Sequence, residues 1–186
     1  MKKIAIIVFI VCIAAVMNAT AQTAENYNTA GIEKAQKGLF KEAVDDFTKA
    51  IELNPKYSEA YSNRAIAKAN LGDNYGVIAD CTKAIELYPQ FADAYYNCGN
   101  AKSALGDKYG AIADYTKAIE VNPQYINAYI NRGSEKDDLG DNYGAIADFT
   151  KAIELNPQNA RTYYNRGNAK LNLGDKYAAI SDYTKA

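Results

Sequence analysis

Five aspartates and five lysines are the residues of this chain whose type and spacing first suggest chemistry. Asp46, Asp80, Asp114, Asp148 and Asp182 follow one another at 34-residue steps (80 − 46 = 34), and Lys34, Lys68, Lys102, Lys136 and Lys170 keep the same step. A carboxylate can act as general acid, general base or nucleophile, and a neighbouring cation can tune that role. A reaction needs its catalytic group once, however, and not five times in register. Repeated ion pairs or hydrogen bonds that support a stack of like units explain the pattern better. Histidine and tryptophan are absent from all 186 residues, which removes the commonest general base and the commonest neutral metal ligand together. The glycines fall at turns and helix contacts and form no phosphate-binding loop. The expectation is a protein without catalytic group, metal or cofactor.

A repeating element must position these side chains. The stretch 105–123, LGDKYGAIADYTKAIEVNP, occurs five times with small changes, its copies marked by Gly38, Gly72, Gly106, Gly140 and Gly174. The only prolines, Pro55, Pro89, Pro123 and Pro157, keep the same step. A fixed period of this size is the sign of a solenoid whose units bury their apolar faces on one another. The units run 24–57, 58–91, 92–125, 126–159 and an incomplete 160–186, and each reads as two helices. In the third, a first helix over about Asp93–Leu105 stops at Gly106, a residue free to adopt the left-handed conformation that closes a helix. Asp107 is placed to cap the second helix, which carries Ala111, Ile112, Tyr115, Ala118 and Ile119 on one face and ends before Pro123. Gly99 is expected to face Ala111 and Ala118, setting the distance between the two helices.

Across each joint, the second-helix aromatic and the seventh residue of the next unit lie about equally far from the linking proline. Those pairs are Phe47 with Arg64, Tyr115 with Arg132 and Phe149 with Arg166, each suited to an arginine stacked on a ring. At the remaining joint both members change, to Cys81 and Cys98. In an oxidising compartment facing cysteines form a disulfide if their Cα atoms come within about 7 Å. The other reading is two small thiols packed in the core.

The unit resembles the tetratricopeptide repeat, which has an aromatic, a small residue four places on, a glycine turn, two alanines flanking an aromatic and a closing proline. In the first unit these are Tyr27, Gly31, Gly38, Ala43, Phe47, Ala50 and Pro55; in the fourth, Tyr129, Gly133, Gly140, Ala145, Phe149, Ala152 and Pro157. The resemblance implies an all-α, right-handed superhelix of helix pairs whose concave groove is lined by the first helices. On that face Asn63, Asn97, Asn131 and Asn165 form a ladder, with Thr29 in the first unit. Such amides can hold the backbone of an extended peptide, since each both donates and accepts; alternatively they are solvated or bond to the neighbouring helix. Tyr96, Tyr164 and Ile130 stand beside the ladder and add apolar surface. The family's carboxylate clamp is matched only at Asn100, Asn131 and Arg161, with Tyr96 and Asn165 where basic residues belong, so the clamp is rejected. Two departures stand out. Tyr75, Tyr109, Tyr143 and Tyr177 sit one place later than Phe40, which puts the turn geometry in question. The last unit stops inside its second helix, leaving an apolar face open.

Residues 1–21 read as a signal peptide: Lys2 and Lys3, an apolar run from Ile4 to Val16, then Ala19-Thr20-Ala21 as a cleavage site. The run is short of the roughly 20 residues that span a bilayer, so the mature chain is expected to start at Gln22 and to be free of the membrane. Without Lys2 and Lys3 the balance is 19 − 22 = −3, and no basic run supplies the footprint of nucleic-acid binding. The leading expectation is an exported, non-enzymatic scaffold, periplasmic or extracellular, that holds a peptide or protein segment of another envelope protein in its groove. The rival is an assembly subunit, or the N-terminal spacer of a larger envelope protein, docking through its open C-terminal end.

Overall fold

Each turn between paired helices is made by one glycine with positive φ, at Gly38, Gly72, Gly106, Gly140 and Gly174, with values of 76° to 83°. A side chain at Gly106 would meet no atom within 4 Å, so glycine is required there by the backbone angle and not by space. One residue later the aspartates Asp73, Asp107, Asp141 and Asp175 accept hydrogen bonds from the N–H groups of Gly76, Gly110, Gly144 and Ala178 at 2.9 to 3.0 Å. Each cap satisfies an otherwise orphaned donor and is worth about 1 kcal/mol.

These local signals generate an all-α solenoid. The computed structural model describes residues 23–186, and the proposed signal segment lies outside the described residues. Helix α1 spans 23–36 and is followed by α2 (Phe40–Leu53), α3 (Ser58–Asn70), α4 (Asn74–Leu87), α5 (Ala92–Ala104), α6 (Lys108–Val121), α7 (Ile126–Asp138), α8 (Asn142–Leu155), α9 (Ala160–Asn172) and α10 (Lys176–Tyr183). The chain divides into two compact units, one ending at Pro89 and the other beginning at Gln90. Among the described residues no helix is long and apolar enough to cross a membrane.

The glycine of each first helix faces the ring of its partner helix. A Cβ on Gly31 would lie 2.6 Å from Phe47, one on Gly99 2.6 Å from Tyr115, one on Gly133 2.9 Å from Phe149 and one on Gly167 2.5 Å from Tyr183. Gly99 therefore opposes Tyr115, where the sequence suggested Ala111 and Ala118; the alanines are buried too, but the ring fills the space. The second repeat inverts the arrangement. Ala65 takes the glycine's place and Cys81 the ring's, and both are fully buried.

The turns of the second to fifth repeats match the first, so the displaced tyrosines leave the backbone unchanged. One step along a helix rotates a side chain by about 100°. Phe40 thus packs against the cluster around Ala43 and Phe47, whereas Tyr75, Tyr109, Tyr143 and Tyr177 are 76% to 88% exposed.

Candidate functional site

The repeated carboxylates belong to the scaffold. Arg64, Arg132 and Arg166 each grip one aspartate through Nε and Nη2, at 2.6 to 2.9 Å: Asp80, Asp148 and Asp182. Their Nη1 atoms donate to Thr48, Thr116 and Thr150 of the preceding repeat, each at 3.0 Å. Lys68, Lys136 and Lys170 complete the pairing at 2.7 to 2.8 Å. The ring beneath each guanidinium is Tyr61, Tyr129 or Tyr163, three residues earlier on the same helix, at 5.6 to 5.7 Å. Stacking on Phe47, Tyr115 and Phe149, as the joint spacing suggested, is replaced by this fork, because a buried carboxylate offers the guanidinium two oriented acceptors.

The first and third repeats lack the fork. Ala30 and Cys98 occupy the arginine's position, and among the described residues Asp46 is paired with Lys34 alone and Asp114 with Lys102 alone, 2.7 Å away. Burial pushes the Asp114 carboxyl above its ordinary value, and Lys102 opposes this only in part. At Asp182 burial acts in the same sense, but hydrogen bonds from Arg166 and Lys170 outweigh it and hold the carboxyl below its ordinary value. Cys81 and Cys98 are both buried thiols.

The first-helix face carries the candidate site. In the unit beginning at Gln90, Asn131 donates to Asn100 Oδ1 at 2.9 Å and to Tyr96 Oη at 3.2 Å. The hydroxyl of Tyr115 donates to the same Asn100 oxygen at 2.8 Å; burial pushes this phenol well above its ordinary value, so it remains a neutral donor. Tyr96 is half-buried and meets Tyr125 edge-on at 5.0 Å between centroids. Ile130 packs against the clusters on either side of α7. Asn131, Asn100 and Tyr96 are thereby brought together and tied to one another.

One repeat further the arrangement opens. A hollow of about 250 Å³ between α7 and α9 is lined by Ser134, Asp137, Asp138, Asn165, Asn168 and Arg161 above the ring of Phe149. Arg161 is exposed, and Tyr164, beside the hollow's Asn165, is 54% exposed against Tyr183 at 5.7 Å. Asn97 is half-buried on α5. In the unit ending at Pro89, Asn63 donates to Asn28 Oδ1 at 3.0 Å and borders a second hollow of about 260 Å³.

The two hollows occupy one register. Adding 102 residues, three repeats, carries Ile32, Ala35 and Gln36 onto Ser134, Asp137 and Asp138, Phe47 onto Phe149, Asn63 onto Asn165 and Ile66 onto Asn168. The first hollow is apolar, closed further by Phe40; the second is polar. Each has a phenylalanine floor. Where tyrosine stands instead, its hydroxyl reaches the first-helix asparagine: Tyr115 to Asn100, and Tyr183 to Asn168 at 2.9 Å. Tyrosine goes with asparagine, and phenylalanine with Ile32 or Ser134. That covariation between repeats was visible in the sequence and would have marked Ser134, opposite Phe149, as lining open space. Ser134, Asp137 and Asn168 lie off the asparagine ladder and carry no repeat signal of their own.

Residues 24–57, 47–75 and 92–125 match family models described as tetratricopeptide repeat, and residues 138–174 match one described as TPR repeat. Among solved structures, the MamA protein superposes with a TM-score of 0.82 at 27% identity, covering 88% of this chain and 90% of that one. A form of MamA designated 41-end, from Desulfovibrio magneticus RS-1, gives 0.81 at 21% identity, covering 88% and 92%. YrrB, described as a TPR protein with an unusual peptide-binding site, gives 0.77 at 19% identity, covering 92% and 89%. Among curated proteins none matches the chain.

Proposed function

On the premise that this chain is an array of tetratricopeptide repeats, we propose that it is a non-enzymatic scaffold holding a segment of another protein against its first helices. The observation that carries this reading is the pair of hollows in one register. The wall of the second is made of polar side chains that belong to no hydrophobic cluster, and the chemistry of the two differs while the buried alanines and rings recur. A surface kept only for solubility has no reason to hold a side-chain-sized recess over a phenyl floor. The peptide-binding site named for YrrB supports the same use of the fold.

The reading includes export and an envelope partner, supported by the basic, apolar and small-residue sequence of residues 1–21. A phosphatase that is active only outside the cytosol, fused after Ala186, should report activity; a silent, stably expressed fusion would count against export.

The binding reading is tested by selecting a displayed random-peptide library on the immobilised chain and on the double variant Asp137→Ala/Asn165→Ala. The wild type should enrich related peptides that the variant loses, with helicity by circular dichroism equal in both. Enrichment of the same peptides by both proteins, or of none by the wild type, would overturn it.

A further inference from the structure

Ladder asparagines donate to an amide of the preceding repeat where one is present. Asn63 reaches Asn28 and Asn131 reaches Asn100. The residues in the corresponding places before Asn165 are Ile130 and Ser134, neither of which has a carboxamide. Asn165 makes no side-chain hydrogen bond among the described residues, and it borders the hollow over Phe149. One repeat earlier the same space is filled by the Asn100 amide, held between Asn131 and the Tyr115 hydroxyl. Replacing that asparagine by Ser134 and that tyrosine by Phe149 removes an amide and a hydroxyl together. The molecule therefore contains, 34 residues away, an example of the group that fits the recess.

We propose that the hollow between α7 and α9 receives the side-chain carboxamide of a glutamine or asparagine in the bound segment, in the place Asn100 fills one repeat earlier. The inference rests on the reading that a protein segment binds this face. The carbonyl oxygen of the incoming amide accepts from Asn165 Nδ2, and its NH2 donates to Asp137. The only bond to the Asp137 side chain among the described residues is a long one, 3.3 Å, from Asn172, while Asp138 is already paired with Lys108. The Phe149 ring provides a flat floor for the planar amide. A carboxylate of the same shape could pair with the exposed Arg161 at the rim, but it would bring negative charge to Asp137 and could donate nothing to it. An alkyl side chain would leave Asn165 and Asp137 desolvated and unsatisfied. A backbone amide carries chain on both sides and cannot enter a recess closed beneath by a ring.

The test uses the full chain, labelled with 15N, and three probes: N-acetylglutamine methylamide, its glutamate counterpart and its norleucine counterpart. The Asn165 side-chain amide signals should shift with the glutamine probe at a concentration roughly tenfold lower than with either of the others. The response should disappear in Ser134→Asn/Phe149→Tyr, which rebuilds the internal pair of the third repeat, and weaken in Ser134→Asn alone, which keeps the native floor. Equal responses to the three probes, no response at Asn165, or a response that survives in both variants would overturn the proposal. Peptides selected by the wild-type chain without these shifts would sink this inference and leave the scaffold reading standing. Failure to select any peptide would sink the scaffold reading, whatever Asn165 does.

Discussion

Replacing Gly31 by alanine places a Cβ 2.6, 2.8 and 3.0 Å from three carbons of the Phe47 ring. Carbon contacts of ordinary length are 3.5 to 4.0 Å, so the ring must move by about 1 Å inside a core where it is only 1% exposed. Overpacking of this kind costs about 1 to 3 kcal/mol, offset by the roughly 1 kcal/mol that alanine gains over glycine inside a helix. The single variant should lose between about 0 and 2 kcal/mol. Phe47→Cys alone should lose about 3 kcal/mol, the low end for a phenylalanine truncation because the sulfur fills part of the space. The double variant recreates the Ala65 and Cys81 pair that the second repeat already uses. With the ring gone the added methyl meets no obstacle, the strain vanishes and the helix gain remains. A double-mutant cycle read by urea unfolding should therefore show the pair less destabilised than the sum of its members, by about 1 to 3 kcal/mol. A coupling below about 0.5 kcal/mol would refute the claim that glycine and ring fix the spacing of the paired helices.

The aspartates of the third and fifth repeats should respond to pH in opposite senses. Asp182 has a lowered folded pKa, so its stabilisation is present above the unfolded carboxylate value and is lost as pH falls through the folded one. Asp114 has a raised folded pKa, so its ionised form is disfavoured at neutral pH and acidification relieves that burden. At pH 7 Asp182→Asn should lower the urea midpoint and Asp114→Asn should raise it or leave it unchanged, with both differences shrinking near pH 3; shifts of the same sign would contradict the assignment. Arg132→Cys, copying Cys98, should cost about 3 kcal/mol at neutral pH by leaving Asp148 to Lys136 alone. A loss under about 1 kcal/mol, the range of a surface pair, would show that the fork contributes little beyond the lysine.

Much of the fold could be read along the chain because its punctuation is local. Gly106 ends a helix through its own φ angle, Asp107 caps the next through an N–H three residues on, and Pro123 closes the unit; none of these depends on a distant residue. Five copies in phase then make an array from what would be a weak signal in one copy. The candidate site was legible only as a face. The ladder positions were found, but Asn63 and Asn131 look alike in sequence to Asn165, and only the neighbouring helix shows that the first two are tied to amides of the preceding repeat. The arginines were expected on the second-helix rings because spacing in sequence gives a height along the stack and no direction around a helix.

The sequence by itself determined the period, the helix boundaries, the turn residues and the scaffold role of the repeated charges, since these follow from backbone angles, caps and recurrence. Tertiary structure alone decided which asparagines are tied to the preceding repeat and that the arginines grip aspartates and not the second-helix rings. Those outcomes depend on how far a side chain reaches between helices. The hydroxyl that separates Tyr115 from Phe149 has almost no effect on helix formation, yet it distinguishes a filled contact from an open one.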